Sequence, residues 1–236
     1  MIFRLAADDP RFPDPLLVPA EYREENGLYA IGGDLSPERL IEAYRQGIFP
    51  WTAFRRLDVK PGQRRRPWNE LHWYCPLQRF VIFPQEVHVS HSMRTLMRKA
   101  VYQVSFDRCF EQVIGHCSQL RINESGAWLG PKMVEAYCRL HRMGVAHSVE
   151  VWKDDELVGG LYGVCLLGGF FGESMFSLVP SASKLALISL CRLLQEQGGK
   201  FVDCQFETPH LKSMGGRYIT YEAYMRLLYA PGTGEE

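Results

Sequence analysis

Residues 169–177 read Gly-Phe-Phe-Gly-Glu-Ser-Met-Phe-Ser, and a helical pattern separates them from Phe-Val-Asp-Cys-Gln at residues 201–205. This order predicts a strand, a helix and a second strand. Both predicted strands are apolar, yet Glu173 interrupts the first, and Asp203 and Gln205 interrupt the second. Because side chains at i and i+2 of a strand share a face, Asp203 and Gln205 are expected to project together. These polar residues are either solvated or loop-capping positions, or they form a site.

The segments on either side of this stretch extend the pattern in a mixed order. Helical spacing and helix-ending signals predict helices over residues 37–46, 90–99, 110–117, 132–143 and 183–197. Alternating apolar residues and turn signals predict strands over residues 102–106, 147–152, 157–167, 170–177 and 201–205, and residues 218–229 supply a last strand and helix. Three successive strands with short turns form an antiparallel meander, so the fold class is α+β. We place a domain boundary near Pro84, between a small N-terminal α/β domain over residues 1–84 and a larger domain over residues 85–236.

The composition is that of a globular protein with enough residues for a sizeable core. The chain has 236 residues, with 27 Lys and Arg against 27 Asp and Glu, so a nucleic acid must be bound by a local basic patch. The seven cysteines are scattered and never form a Cys-x-x-Cys pair, which favours neither a disulfide framework nor a zinc site. No signal-peptide pattern and no apolar run of roughly 20 residues is present. We therefore expect a cytoplasmic protein that does not enter the membrane.

Several standard catalytic sites are excluded by the sequence. It contains no phosphate-binding Gly-x-x-x-x-Gly-Lys-Ser/Thr loop, no strand-anchored Gly-x-Gly-x-x-Gly and no metal-binding His-Glu-x-x-His. We expect neither a metal nor a cofactor. What remains is the Asp203 and Gln205 pair, Glu173 and a set of aromatic residues, namely Trp51, Trp128, Tyr44, Tyr137, Phe170 and Phe176. Residues of these types form sites that hold an apolar group beside a polar reaction centre.

Six short blocks give the chain a specific resemblance. In order, they are Gly-Gly-Asp-Leu-Ser at 32–36, Gly-Ile-Phe-Pro-Trp at 47–51, Ala-His-Ser-Val-Glu at 146–150, Leu-Val-Gly-Gly-Leu-Tyr-Gly at 157–163, Gly-Glu-Ser-Met-Phe-Ser at 172–177 with Ala-Ser-Lys at 182–184, and Asp-Cys-Gln at 203–205 followed by His210. Together they resemble the leucyl/phenylalanyl-tRNA-protein transferases of bacteria. The resemblance implies a small N-terminal domain joined to a C-terminal domain with the acetyltransferase-like (GNAT) fold, a mixed sheet with flanking helices. It also implies transfer of Leu, Phe or Met from aminoacyl-tRNA to proteins that begin with Arg or Lys, which marks them for the N-degron pathway.

The resemblance also assigns substrate-binding roles to individual residues. It implies that Trp51 and Trp128 flank the amino-acid side chain or the terminal adenosine, and that Tyr44 and Tyr137 help to place the reacting ester. Glu173 is expected to bind the free amino group of the donor or the cationic N-terminal residue of the acceptor. We add two residues as further walls of the apolar pocket, Phe170 and Met175. Shape near Cβ is expected to make this pocket reject side chains that branch there.

The chemistry of the reaction suggests roles for Asp203 and Gln205. An aminoacyl ester is an activated donor, and an α-amino group with a reference pKa near 7.7 to 8.0 needs only modest base assistance. An amide does not take up a proton near neutrality, so Gln205 is expected to hold the attacking amine through its carbonyl oxygen. Asp203 then either orients Gln205 or receives the proton through it.

Basic residues provide a candidate surface for tRNA. Arg94, Arg98 and Lys99 share one side of a predicted helix, and a second basic run extends from Arg55 to Arg66. The second run is longer than in typical family members and is either a solvated loop or a phosphate-contacting arm. The chain also departs from the family pattern at residues 126–129, 213–216 and 219–221, where it reads Gly-Ala-Trp-Leu, Ser-Met-Gly-Gly and Ile-Thr-Tyr. We expect a monomer.

Two other functions compete with the transferase hypothesis. A GNAT-type N-acetyltransferase would need a row of backbone amides to hold a pyrophosphate, but Pro180 removes one amide donor from the corresponding segment. A non-catalytic adaptor for basic N-termini would need the acidic pocket but not Asp203 and Gln205, and both residues are present.

Overall fold

The structure is a computed structural model that describes residues 1–51, 71–122 and 129–231. The chain divides into two compact units. Unit 1 consists of Met1–Leu77 and Ser118–Ala136, and unit 2 consists of Gln78–Cys117 and Tyr137–Glu236.

The first part of unit 1 contains a four-stranded sheet and an α-helix that follows its second strand. Its elements are β1 (Phe3–Leu5), β2 (Leu28–Gly32), α1 (Pro37–Arg45), β3 (Phe49–Pro50) and β4 (His72–Tyr74). The strand order is β1-β2-β4-β3, with β1 parallel to β2 and the other pairs antiparallel. The predicted helix start is confirmed, since the Ser36 side chain accepts a hydrogen bond from the Arg39 backbone N–H and Pro37 is the first helical residue.

The remaining elements surround a larger sheet. They are β5 (Gln78–Ile82), α2 (His91–Arg98), β6 (Gln103–Phe106), α3 (Phe110–Ile122), α4 (Pro131–Arg142), β7 (Ala146–Lys153), β8 (Glu156–Leu166), β9 (Gly169–Ser177), α5 (Ala182–Glu196), β10 (Phe201–Gln205), α6 (Pro209–Ser213), β11 (Arg217–Thr220) and α7 (Tyr221–Tyr229). The sheet of unit 2 has the order β11-β5-β10-β9-β8-β7-β6. Neighbouring strands are antiparallel except β9 and β10, which are parallel.

The α+β class and the antiparallel meander predicted from the sequence are confirmed. Strands β7, β8 and β9 form the meander, and α5 then crosses to β10. The predicted helix over 110–117 is longer in the structure and ends at Ile122. The short helix α6 was not predicted, because a five-residue segment offers too little periodicity to read.

The core of unit 2 lies between α5 and the sheet. Leu185, Ala186 and Ile188 of α5 are buried in one cluster with Phe170 of β9 and Val202 of β10. Burying each large aliphatic or aromatic side chain contributes roughly 1.5–3 kcal/mol, so this cluster is a major source of stability. The packing therefore fixes β9 and β10, the two strands that carry the polar residues, against α5.

Glycines in β8 permit two close approaches in this core. A Cβ atom at Gly159 would lie 2.4 Å from the Cβ atom of Ala182, at the start of α5. A Cβ atom at Gly163 would lie 2.2 Å from the backbone oxygen of Phe171 in β9. Packing thus requires glycine at residues 159 and 163 of the Leu-Val-Gly-Gly-Leu-Tyr-Gly block.

The pair formed by His147 and Asp107 makes stability depend on pH. His147 Nδ1 lies 2.7 Å from Asp107 Oδ2, and this contact raises the pKa of His147. Partial burial opposes ionisation of Asp107, but hydrogen bonds from His147 and the Ser148 backbone outweigh it and lower the pKa of Asp107. The raised His147 pKa gives a contribution that is fully present below pH ~6.5, the unfolded value, and is lost as the pH rises through the folded value.

We therefore expect His147→Gln to destabilise the protein at pH 6 by about 0.2–1 kcal/mol, as for other half-exposed ion pairs. At pH 9 the difference from the wild type should shrink, because the imidazole is neutral there. Denaturant unfolding at both pH values measures this effect. An equal loss at pH 6 and pH 9 would show that the side chain contributes by packing alone.

Candidate active site

The site lies where β9 and β10 part. The two strands pair only from Phe201 opposite Gly169 to Asp203 opposite Phe171. Beyond these pairs, β9 continues to Ser177 along β8 alone. Glu173 of β9 and Gln205 of β10 therefore lie just beyond the last residue pair that the two strands share.

An irregularity in each strand aims these side chains. In β9, Gly172 and Ser174 lie opposite the adjacent residues Gly163 and Tyr162, so Glu173 is an extra, bulged residue. In β10 the register shifts between Asp203 and Gln205, and Gln205 has a left-handed backbone with φ of 65°. Bulges re-aim side chains and are frequent beside active sites. A left-handed glutamine is unfavourable, which indicates that the surrounding structure imposes this conformation.

Glu173 is the centre of a hydrogen-bonded group. The Tyr137 hydroxyl donates to Glu173 Oε2 at 2.8 Å, and Gln205 Nε2 donates to Glu173 Oε1 at 3.1 Å. Glu173 is only 7% exposed, and these two donors orient its buried carboxylate. Three of the predicted site residues are thus brought together.

The contact with Glu173 fixes which way the Gln205 amide points. An ionised carboxylate only accepts hydrogen bonds, so the amide must present its NH₂ group to Glu173. Within the described residues, the Gln205 carbonyl oxygen accepts no hydrogen bond. This oxygen remains available to a ligand that donates N–H.

Asp203 is fully buried and ion-paired with Arg79, which is also fully buried. Arg79 Nε lies 2.9 Å from both carboxylate oxygens, and Arg79 Nη2 lies 2.8 Å from Asp203 Oδ2. The Tyr224 hydroxyl donates to Oδ2 at 2.9 Å, and the Gln205 backbone N–H donates to Oδ1 at 2.8 Å. Asp203 is therefore directly linked to the backbone of Gln205.

The side chains of Asp203 and Gln205 do not project together as expected from the sequence. The register shift interrupts the strand alternation on which that expectation relied. As a result, the Asp203 side chain binds Arg79 and Tyr224, whereas the Gln205 side chain binds Glu173. Their connection runs through the Gln205 backbone N–H.

Sequence reasoning missed Arg79 and Tyr224. One signal was available for a partner, because an acid in an apolar strand requires a cation or several donors when it is buried. The identity of that partner depends on strand β5 lying beside β10, and on α7 packing nearby. Neither arrangement can be read from local patterns.

The other proposed substrate-binding residues have varied environments. Phe170 is 2% exposed in the cluster under α5, and Met175 is partly buried against the same cluster. In unit 1, Tyr44 is fully buried, and Trp51 makes an edge contact with Tyr74 at a ring-centroid distance of 5.3 Å. Trp128 and the Arg55 to Arg66 stretch lie outside the described residues.

Cys204 lies between the two polar residues of β10 but is not a suitable nucleophile. Burial, followed by the adjacent Asp203 carboxylate, raises the pKa of the Cys204 thiol well above its ordinary value. The thiol is therefore protonated near neutrality and poorly nucleophilic. In the ranges that the structure describes, no group of three or more His, Cys, Asp or Glu side chains could hold a metal ion.

The basic residues predicted to contact tRNA lie on α2. Arg94, Arg98 and the adjacent Lys99 are exposed. Arg94 Nη1 donates to the backbone oxygen of Val89 at 2.7 Å. This bond anchors the Arg94 side chain against the start of the helix.

Comparisons with known proteins identify the family. The family described as leucyl/phenylalanyl-tRNA protein transferase matches residues 81–229, and the N-terminal domain of the same family matches residues 33–58. A leucyl/phenylalanyl-tRNA–protein transferase from Nitrosomonas eutropha is 50% identical over 205 residues, covering 87% of this chain and 82% of the relative. One from Stutzerimonas stutzeri is 47% identical over 228 residues, covering 97% and 94%.

Similarity to solved structures is weaker. The structure of L-PGS from Bacillus licheniformis has a TM-score of 0.40 and 12% identity, covering 75% of this chain and 52% of that chain. A score in this range does not identify a fold. The sequence matches are decisive: the chain belongs to the leucyl/phenylalanyl-tRNA protein transferase family.

Proposed function

We propose that this protein transfers Leu, Phe or Met from aminoacyl-tRNA to the N-terminal Arg or Lys of acceptor proteins. Family membership supports this reaction. The observation that assigns it to particular residues is the hydrogen bond between Glu173 and Gln205, where β9 and β10 separate. The parallel β9–β10 pair that opens here supports a GNAT-like fold for the C-terminal part. Domains at 1–84 and 85–236 remain our proposed division.

The acceptor amine attacks the ester carbonyl of the donor directly. A C–N bond forms, the C–O bond to the terminal ribose breaks, and the proton lost by the amine ends on the departing ribose oxygen or in solvent. The ester is already activated, so the reaction requires no ATP or redox cofactor. The protonated Cys204 thiol is consistent with direct attack rather than with an acyl-enzyme.

Gln205 positions the attacking nitrogen. Its NH₂ group is engaged by Glu173, so its carbonyl oxygen accepts an N–H of the acceptor amine. Positioning of this kind accelerates bimolecular reactions by removing translational and rotational freedom before the chemical step, an effect worth up to about 7–11 kcal/mol.

Asp203 acts as the orienting residue rather than as the proton acceptor. Its carboxylate receives hydrogen bonds from Arg79, Tyr224 and the Gln205 backbone, and is fully buried. The ion pair with the buried Arg79 guanidinium commits this carboxylate to a structural contact, because breaking a buried ion pair is strongly unfavourable. Of the two roles that the sequence left open for Asp203, orientation of Gln205 is the one that these contacts support.

Glu173 recognises an ammonium group. Tyr137 and Gln205 hold its carboxylate in place, and its negative charge attracts the free amino group of the donor or the basic acceptor residue. Phe170 and Met175 remain our proposed walls of an apolar pocket, and Tyr44, Trp51 and Trp128 remain proposed donor-binding residues.

The substrates of the reaction indicate the cellular compartment in which it takes place. Aminoacyl-tRNA is made and used in the cytoplasm, and there the product enters the N-degron pathway. No helix in the described ranges has the length and hydropathy needed to span a membrane. We propose a monomer. Family membership does not favour an acetyltransferase or a non-catalytic adaptor.

Incubation with radiolabelled Leu-tRNA and a peptide that begins with Arg tests the proposal. We expect the wild type to label the peptide and Gln205→Ala to do so about 10–150-fold more slowly, as for loss of a hydrogen bond to a charged group. Unlabelled peptide with the wild type would refute the function. Normal labelling by Gln205→Ala would refute only the role of that residue.

A further inference from the structure

A basic cleft lies between α2 and α5. A cavity of about 570 Å³ is lined by Arg94, Met97 and Arg98 of α2 and by Arg192 of α5. Arg94 and Arg98 are four residues apart, hence about 6 Å apart along one face of the helix. Arg192 adds a third guanidinium group from a second helix, and it was not among the residues that the sequence suggested.

The charge of this cleft is not neutralised within the part of the chain that the structure describes. Arg94, Arg98 and Arg192 are all exposed, and none of them forms an ion pair with a described carboxylate. Like charges repel each other when they line one cavity. An anionic ligand would relieve this repulsion.

A second, smaller cavity limits what the ligand can be. Its volume is about 190 Å³, and it shares Met97 and Arg192 with the first cavity. Apart from Ser189 and Arg192, its lining residues are apolar or aromatic, namely Leu96, Met97, Ala100, Tyr102, Val104 and Leu185. Charged groups of a ligand are therefore expected in the first cavity, which the three arginines line.

We propose that the α2–α5 cleft binds consecutive phosphates of the tRNA backbone, with Arg192 as a phosphate contact. This inference rests on the proposed function, since it extends the tRNA surface from α2 to α5. Three guanidinium groups on two helices fit an extended polyanion better than a single carboxylate. The planar fork of arginine also matches phosphate oxygens.

The position of α5 in the chain connects this cleft with the reaction centre. Helix α5 follows β9 and leads into β10, the strands that carry Glu173 and Gln205. It also packs directly against Phe170 and Val202 of those strands. A tRNA held by Arg192 is thus bound to the element that supports the site.

Salt dependence of tRNA binding tests the role of Arg192. The affinity of uncharged leucine tRNA is measured by fluorescence anisotropy between 50 and 300 mM KCl, about the range in which phosphate contacts dominate. Arg192→Gln is expected to reduce the slope of log K against log salt by roughly 0.7–0.9, the contribution of one phosphate contact. Arg192→Lys should retain the slope. The matched control is Arg226→Gln, which changes an exposed arginine of α7 that does not line the cavity and should leave the slope unchanged.

Transfer kinetics separate tRNA binding from catalysis. With Leu-tRNA as donor, Arg192→Gln should raise KM several-fold and leave kcat unchanged. With leucyl-adenosine, which lacks the rest of the tRNA, wild type and variant should react equally.

An unchanged salt slope and an unchanged KM would overturn the proposal. Normal tRNA affinity with transfer lost only for protein acceptors, but not for short Arg peptides, would assign the cleft to an acidic protein surface and also overturn it. Failure of the wild type with Leu-tRNA would instead refute the proposed function.

Discussion

Replacing Asp203 by Asn is expected to lower the free energy of unfolding by about 3–5 kcal/mol, the usual effect of breaking a buried ion pair. Asp203 and Arg79 are both fully buried and form a bidentate contact. An asparagine carries no charge, so the buried ion pair with Arg79 is lost. The Gln205 backbone also loses a charged acceptor, and peptide transfer should fall together with stability.

The double variant Arg79→Met with Asp203→Leu separates the effect of Asp203 on stability from its effect on the position of Gln205. Removing both charges and restoring apolar volume should recover most of the stability, since buried ion pairs contribute little relative to apolar packing. Transfer should nevertheless stay low, because the Gln205 backbone N–H then lacks the acceptor that holds its left-handed conformation. Urea unfolding and the Leu-tRNA assay give the two readouts. Recovery of transfer in the double variant would contradict the orienting role of Asp203.

The elements of this fold were predictable because their ends are encoded locally. Ser36, Ser90 and Thr220 each accept a hydrogen bond from a backbone N–H three residues ahead, which is a signal that a short window of sequence contains. The Asp154-Asp155 turn between β7 and β8 likewise adopts the left-handed conformations that two-residue hairpins favour.

The partners of the site residues were less predictable, because they depend on contacts between distant parts of the chain. Glu173, Asp203 and Gln205 could be selected as polar interruptions of apolar strands. Arg79 lies 124 residues from Asp203 in the sequence, and it reaches the carboxylate only because β5 is inserted beside β10. The bulges at Glu173 and beside Gln205 also depend on strand register, which is set by the whole sheet.

The loss of the Glu173 charge should have the largest effect on catalysis itself. Glu173→Gln preserves the shape of the side chain but removes the charge that we propose attracts an ammonium group. We expect kcat/KM for Leu-tRNA and an Arg peptide to fall by at least about 10–150-fold, the equivalent of one hydrogen bond to a charged group. The fall should exceed that single contribution because of a second effect on Gln205.

That second effect concerns the direction of the Gln205 amide. Only an acceptor at residue 173 forces Gln205 to present its NH₂ group there. A glutamine at this position can donate as well, so the Gln205 amide is free to rotate and turn its carbonyl oxygen away from the attacking amine. Both the charge and the positioning oxygen are then lost in one substitution.

Two controls make the prediction for Glu173→Gln specific. Glu173→Asp keeps the charge and the acceptor-only character, so it should retain more activity than Glu173→Gln despite its shorter reach. Glu111→Gln changes a carboxylate whose side chain is 77% exposed on α3, and it should leave kcat/KM unaltered. Urea unfolding of each variant excludes a global loss of stability. If Glu173→Gln retained activity within about twofold of the wild type, well below the effect of one charged hydrogen bond, neither amine recognition by Glu173 nor its control of Gln205 could be correct.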